Sequence, residues 1–333
     1  MTTTVLDAAT LERLVSAAVA APSVHNSQPW RFRLDPDTVT VEVRAETRRA
    51  LPRLDPSGRA LHVSAGCALL NLRVAVAHLG WQPVTRLLPR PEEPELLATV
   101  RLAGAARPPA DGALHDAVWR RHSSRMPFSA HPLPAALLAE LADAAHAEGA
   151  SLYRPGTAGT ERLLGLTRQA ERRSAADADR AAESRRWVRR PDESGVGVPP
   201  SAVGPQDYRE RMPMRDFGAH RHTSLLPARP FEERPVIVLL STAHDRRADW
   251  LRAGQALERV LLLATAHGVR TSMLHQALEW PDLRAALTGE DAEGRRHAQM
   301  LLRLGYGPEG PRTPRRAVSR TLEGATEPVP ARA

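Results

Sequence analysis

The side chains that can do chemistry cluster in three stretches of the sequence. Arg120-Arg121-His122-Ser123-Ser124-Arg125 sets guanidinium, imidazole and hydroxyl donors side by side. A phosphate calls for such a set, because arginine grips its oxygens bidentately. Arg312-Thr313-Pro314-Arg315-Arg316 repeats the theme late in the chain. Together the two stretches can clamp a dianion from two sides, and either alone also reads as a solvated basic turn. The third stretch, Ala21-Pro22-Ser23-Val24-His25-Asn26-Ser27-Gln28-Pro29-Trp30, carries no acid. Its Ser, Asn and Gln side chains suit a polar heterocycle, and Pro22 and Pro29 stiffen the loop, which lowers the ordering cost of binding. Its plainer reading is a helix-to-strand connection.

Other patterns carry less. Gly305-Tyr306-Gly307-Pro308-Glu309-Gly310 matches a dinucleotide fingerprint, but that fingerprint needs a helix to begin there. Pro308, Pro311 and Pro314 follow instead, so a turn leaving a strand is expected. His220-x-His222 lacks an acidic partner at helical spacing and reads as a solvated loop. Cys67 is the single cysteine, which rules out an intrachain disulfide, and its apolar surroundings suggest a core thiol. No GxSxG elbow, zincin motif or glycosidase-type carboxylate pair occurs, and no metal site is expected.

The 333 residues are 42% hydrophobic and can bury a large core. All 46 basic residues are arginine, giving a net charge of +8. With abundant Ala and Pro this looks like GC-rich coding bias. Aromatic residues are only 4%, and no nucleic-acid-binding signature interleaves with the arginines, so a nucleic-acid partner is not expected. No run of apolar residues is long enough for a membrane span. The start of the chain lacks a cationic leader, so the cytoplasm is the expected location.

The elements that must position these stretches follow from periodicity. Residues 10–20 read as an amphipathic helix with Thr10 as its N-cap. WRFRL and VTVEVR are alternating strands around a turn at Asp35-Pro36-Asp37. A long helix starts near Asp55–Gly58 and runs to His78, followed by strands WQPVTRLLP and LLATVRL. After a polar linker at 103–112 come a short helix ending near Trp119, a helix opening at Leu133-Pro134, and the strand SLYRP. Residues 160–186 read as one polar helix. Residues 187–230 are rich in Pro and Gly with weak periodicity, as in a lid, a binding loop or a disordered segment. RPVIVLLST, a helix through ADWLRAGQALERVLLLATAHG, and HAQMLLRLGYG close the pattern.

One internal repeat organises the whole. Ala65-Gly66-x-Ala68-Leu69 is matched by Ala253-Gly254-x-Ala256-Leu257, and each helix runs to a glycine at the same offset, Gly80 or Gly268. The flanking elements match in order. The expected architecture is α+β, with two related halves of about 1–105 and 113–333, each a mainly antiparallel sheet with helices.

Here the motifs become specific. PSVHNSQPW before a strand resembles the PSSxNxQPW loop of FMN-dependent nitroreductases, and RHSSRMPF resembles that family's RxSxR/KxF flavin arm. In the usual homodimer the two motifs reach one FMN from different subunits. This chain carries each motif once, on opposite halves, and so is similar to the Acg-type branch, where one chain imitates the dimer and a monomer suffices. The resemblance implies FMN as cofactor. Arg121, His122 and Ser123 would face its phosphate, and Arg125 the O2/N1 edge of the ring. Pro22, Ser23, Val24, Asn26 and Gln28 would line the ring from the other half. Met273, Leu274, His275 and Gln276 would face its N5 edge, and Arg315 and Arg316 would add a C-terminal phosphate contact.

The resemblance further implies an oxidoreductase that passes hydride from NAD(P)H to a nitro-aromatic, quinone or enone-like acceptor. The alternative is a flavin-sequestering protein in which residues 187–230 form a lid. Arg125 replaces the family's frequent lysine, and His275 stands where an acidic or small residue is common. These two are the candidates for tuning the flavin, and both changes bear on substrate and donor preference.

Overall fold

The computed structural model describes residues 6–105, 114–188, 192, 194–217, 228–288 and 296–323. The fold is α+β. In the first half, α1 (Ala8–Val19) leads into β1 (Trp30–Asp35) and β2 (Thr40–Ala45). Then come α2 (Arg59–His78), β3 (Trp81–Leu87) and β4 (Leu96–Ala105). These strands form an antiparallel sheet in the order β1-β2-β4-β3. The second half opens with α3 (His115–Arg120), α4 (Ala135–Ala147) and β5 (Ser151–Tyr153). Helices α5 (Thr157–Ala176) and α6 (Ala178–Arg186) precede a two-residue parallel pair, β6 (Gln206–Asp207) and β7 (Ala228–Arg229). The half ends with β8 (Val236–Thr242), α7 (Arg247–Ala266), β9 (Arg270–Leu274), α8 (Pro281–Leu287) and β10 (His297–Gly305). Its sheet runs β5-β8-β10-β9. Rank for rank, the two sheets have the same topology, and α1 and α2 correspond to α4 and α7.

The repeat seen in the sequence is where the two halves touch. A methyl on Gly66 would stand 2.8 Å from Gly254 Cα, and one on Gly254 would stand 2.7 Å from Gly66 Cα. No real Cβ tolerates that, so two glycines let α2 and α7 cross backbone to backbone. One apolar core runs through the crossing, from Trp30, Phe32 and Val43 on one sheet to Leu240, Leu301 and Leu302 on the other. The sheets differ in cover. Along β1 burial alternates, as it does when one face meets solvent. Along β8 and β10 nearly every residue is buried, because α7 and α8 both pack on that sheet. The second helix, α2, is long and apolar enough to cross a membrane, but 94% of that stretch is buried inside the protein.

Two local expectations are corrected, and the structure adds a crossover that the sequence did not suggest. Thr10 lies inside α1, and Asp7 is the N-cap, accepting from Thr10 N at 2.6 Å. A carboxylate within reach of the first turn's N–H groups outcompetes a hydroxyl already in the helix. The helix expected over 160–186 breaks at Asp177, whose side chain caps α6 through Asp179 N and Arg180 N. The chain's end also crosses over. Phe32 N donates to Thr321 O and Glu323 N to Phe32 O, both at 2.8 Å, so the second half's tail covers the β1 edge of the first sheet.

Candidate functional site

The loop from Pro22 to Pro29 leaves α1 through a 3-10 turn in which His25, Asn26 and Gln28 all take positive φ (55°, 53° and 51°). Non-glycine residues in that region cost of order 1–3 kcal/mol each and persist only where neighbours hold them. The neighbours here are distant in sequence. Asn26 Nδ2 donates to Gly197 O and Pro314 O, both at 2.9 Å. Gln28 Nε2 donates to Gly195 O at 2.7 Å, and Gln28 Oε1 accepts from Arg316 N at 3.0 Å. Arg316 also reaches the carbonyls of Gln28 and Trp30. The loop is therefore cross-braced by the insert and the tail.

The arm is fixed from the other half. Ser123 bridges Thr271 of β9, and Ser124 N donates to Thr271 O at 2.9 Å. Phe128 anchors the arm's far end against Gly305 and Gly307, where added methyls would stand 2.8 and 2.9 Å from its ring. This accounts for the glycine-rich Gly305–Gly310 stretch. No helix starts there, and its glycines seat an aromatic side chain.

Loop and arm face each other across one cleft with two ends. Arg121, His122, Ser123, Asn26, Thr313 and Arg315 line the first end. The second end is lined by Val24, Ser64, Cys67, Leu257, Leu274 and His275 among others. Pro22, Ser23, His25, Arg125 and Met273 border both.

The first end is cationic. Arg121 and Arg315 both donate to the Ala20 carbonyl at 3.1 Å, at the end of α1. Burial lowers the Arg315 guanidinium to about 9, with Arg121 beside it adding repulsion. The buried carboxylate in reach is Glu258 of α7, whose Oε1 lies 3.3 Å from Arg121 Nε without hydrogen-bond alignment. Arg121 Nε and His122 Nε2 are shielded from solvent with no hydrogen-bond partner. The end can therefore accept an anion.

At the second end His275 donates or accepts at both ring nitrogens, to Glu279 Oε1 at 2.9 Å and Arg59 Nη2 at 3.2 Å. Burial lowers its basicity, against the pull of Glu279. Burial also works to raise the Glu279 carboxyl, but Arg215 and His275 outweigh it and hold it at about 2. Arg215 comes from the insert, as do Met214 and Phe217, which also line this end. Phe217 meets the His25 ring edge-on at 5.1 Å. Arg125 donates to Ala202 O of the insert at 2.8 Å, and burial lowers its guanidinium to about 10.

The structure thus brings Pro22, Ser23, Val24, Asn26, Arg121, His122, Ser123, Arg125, Met273, Leu274, His275 and Arg315 to one cleft. Gln28, Gln276 and Arg316 lie behind it. Gln276 Nε2 binds Pro213 O at 3.0 Å, as Gln28 and Arg316 bind loop and tail, so these three brace the walls. Sequence reasoning missed Ser64, Cys67, Glu258, Arg59 and Glu279. Glu258 left one signal, a carboxylate at the repeat position that holds Leu70 in α2. His220 and His222 lie outside the described residues, and among the described residues no His, Cys, Asp and Glu group could hold a metal ion.

The cleft lies between two related halves, cationic at one end and mostly apolar at the other. The profile of the Nitroreductase family matches residues 118–306. "Putative NAD(P)H nitroreductase Rv3131" of Mycobacterium tuberculosis is 35% identical over 328 residues, 96% of this chain and 93% of that protein. "Putative NAD(P)H nitroreductase acg" of the same organism is 31% identical over 317 residues, 92% and 93% of the two chains. The chain belongs to the nitroreductase family. A solved nitroreductase with bound FMN from Desulfitobacterium hafniense DCB-2 is 15% identical with a TM-score of 0.39, covering 60% of this chain and 93% of that one.

Proposed function

We propose that this protein is an FMN-dependent oxidoreductase that passes hydride from NAD(P)H to a nitro-aromatic, quinone or enone-like acceptor. The observation that carries the reading is the pair of adjoining pockets between loop and arm, bordered in common by Pro22, Ser23, His25, Arg125 and Met273, with Arg121 and Arg315 lining one of them. The residues fit the cofactor: Arg121 Nε is a donor without a hydrogen-bond partner beside the place where its phosphate would lie. Arg121, His122, Ser123 and Arg315 would hold that phosphate. Pro22, Ser23, Val24, Met273, Leu274 and His275 would line the ring. Bound FMN supplies the hydride acceptance and donation, so the chain needs no nucleophile. Arg125 places a fixed cation at the ring edge, where it favours negative charge. Residues 1–105 and 113–333 each contribute one wall, so a monomer forms a complete site, and the reading places it in the cytoplasm. Purified protein mixed with FMN should retain a flavin absorption spectrum and quench flavin fluorescence. A colourless protein with unquenched flavin would overturn the reading.

A second reading, flavin sequestration, is favoured by one observation. Met214, Arg215 and Phe217 close the ring end, tied down through Glu279. Lids also open, so anaerobic mixing with NADPH and NADH separates the two: rapid bleaching of bound flavin marks the enzyme, and stable colour marks sequestration.

A further inference from the structure

Glu258 holds no part of the cofactor in the reading above, yet it is the least expected residue behind the cleft wall. It sits in the middle of α7 with no solvent exposure. Neither carboxylate oxygen has a well-aligned hydrogen-bond donor, although the neighbouring Asn71 amide stands close enough to favour the charged form. The repeat supplies an internal control. The matching position in α2 is Leu70, also fully buried, and the sequence ahead of α1 carries no arm motif. Of the two matched helices, α7 alone places a carboxylate at this buried position. An unpaired buried charge is expensive, and a leucine is evidently accommodated at the equivalent place.

The charges explain what it can do. Arg121, Arg315 and Glu258 together leave one excess positive charge behind the cleft. A phosphate dianion would turn that into one excess negative charge, and a proton on Glu258 would restore neutrality. We propose that Glu258 takes up a proton from solvent when a phosphate dianion enters between Arg121 and Arg315, making the affinity for phosphate-bearing flavin pH-dependent. This rests on the FMN reading and adds its regulation by pH. It also makes Glu258 a positioning residue acting through Arg121.

Burial raises the Glu258 carboxyl to about 7, against the opposing pull of Arg121 and Arg315. A dianion beside it raises the carboxyl further. Below about 7 the free protein already holds the proton, so binding takes none up there and affinity is flat. Above it, affinity falls by up to about tenfold per pH unit until the ligand-bound value is passed. The charged and titratable groups facing Glu258 are Arg121 from the arm, Arg315 from the tail and the Cys67 thiol from α2, which burial pushes well above its usual range. His122 borders the same end, and the phosphate itself titrates near pH ~6. Those contributions are shared with a Glu258→Gln variant, so the difference between the two proteins isolates Glu258.

The test is titration calorimetry of the whole chain with FMN at about pH 8, in buffers of different ionisation heat. Net uptake approaching one proton is expected for FMN, with none for riboflavin and a loss of uptake in Glu258→Gln. The variant's FMN affinity should also stay flat where the native protein's falls. FMN binding without uptake, or undiminished uptake in the variant, overturns the proposal and leaves the FMN reading intact. Absence of FMN binding overturns both. If Glu258→Gln does not fold, the FMN-minus-riboflavin difference in the native protein decides alone.

Discussion

Two sets, each of two arginines and a glutamate, flank the crossed helix pair, and they are built differently. In one the glutamate is Glu148, the residue that caps α4. Its oxygens accept from Arg73 Nη1 at 2.6 Å and from Arg259 Nε at 2.8 Å. Beside the other, the residue capping α1 is Ala20, which offers Arg121 and Arg315 only a backbone carbonyl. The carboxylate there comes from within α7 and stands off Arg121 unaligned. In the first set each carboxylate oxygen meets a guanidinium, so the set is complete as structure. In the second, Arg121 Nε keeps no aligned partner, and both guanidiniums line a cleft. Related halves thus use the same ingredients once for stability and once for binding, and the residue at one helix end decides which.

The largest expected effect separates the two sets directly. Arg121→Ala should weaken FMN binding by about 2–5 kcal/mol, as removal of a buried charge partner does. Arg259→Ala should leave FMN affinity unchanged and lower unfolding stability by about 1–3 kcal/mol, because Glu148 loses a donor. Fluorescence titration and urea denaturation read the two effects. Equal losses of FMN affinity in both variants would erase the distinction.

The second set should also show in how stability follows pH. Glu258 has a folded value of about 7, raised by burial from an ordinary 4.5. The folded state therefore binds more protons than the unfolded one between those values, and stability falls as pH rises through that window. The whole loss is about 3 kcal/mol. Glu258→Gln should remove that slope, seen as urea midpoints that no longer decline between about pH 5 and 8. A native protein whose stability is level across the window would show that Glu258 is not held at the raised value.

The crossing point tests whether the two halves are equivalent where they should be. Gly66→Ala and Gly254→Ala each push a methyl into the partner helix backbone, and overpacking of that kind costs about 1–3 kcal/mol. The costs should be similar, and thermal unfolding at matched conditions would show it. A neutral effect at either glycine would mean that the helices can part without loss.

Much of this was legible in the sequence, because helix and strand periods survive in a chain with long apolar faces. The glycine repeat pointed to a two-fold arrangement, and loop and arm were legible as motifs. What escaped is set by contacts between residues far apart in the chain. Asn26 and Gln28 read as ligand-facing amides, but insert and tail carbonyls compete for them. The Asp177 break escaped because a capping carboxylate in a polar helix looks like any surface acid. Glu258 escaped because a single charge in an apolar helix becomes conspicuous only when aligned with Leu70 of the other half. Glu279 and Arg59 left no pattern at all, since the network joining them to His275 exists only in the folded chain.

The smallest expected effect tests burial as the deciding variable. Arg312 belongs to the same basic tail as Arg315 and was an equal candidate by residue type. It is exposed, while its neighbours Pro311, Thr313 and Arg315 line the cationic end. An exposed guanidinium acts on a bound phosphate through water and salt, and such interactions are weak. Arg312→Ala should therefore change FMN affinity by less than about twofold, and the change should vanish at about 1 M salt, where the screening length is a few ångströms. Arg315→Ala under the same salt should keep more of its loss, because a half-buried guanidinium lining the cleft meets fewer screening ions than an exposed one. If both losses faded together with salt, the arginine tail would act as a diffuse field, and the contrast between the open and the closed ion sets would lose its basis in burial.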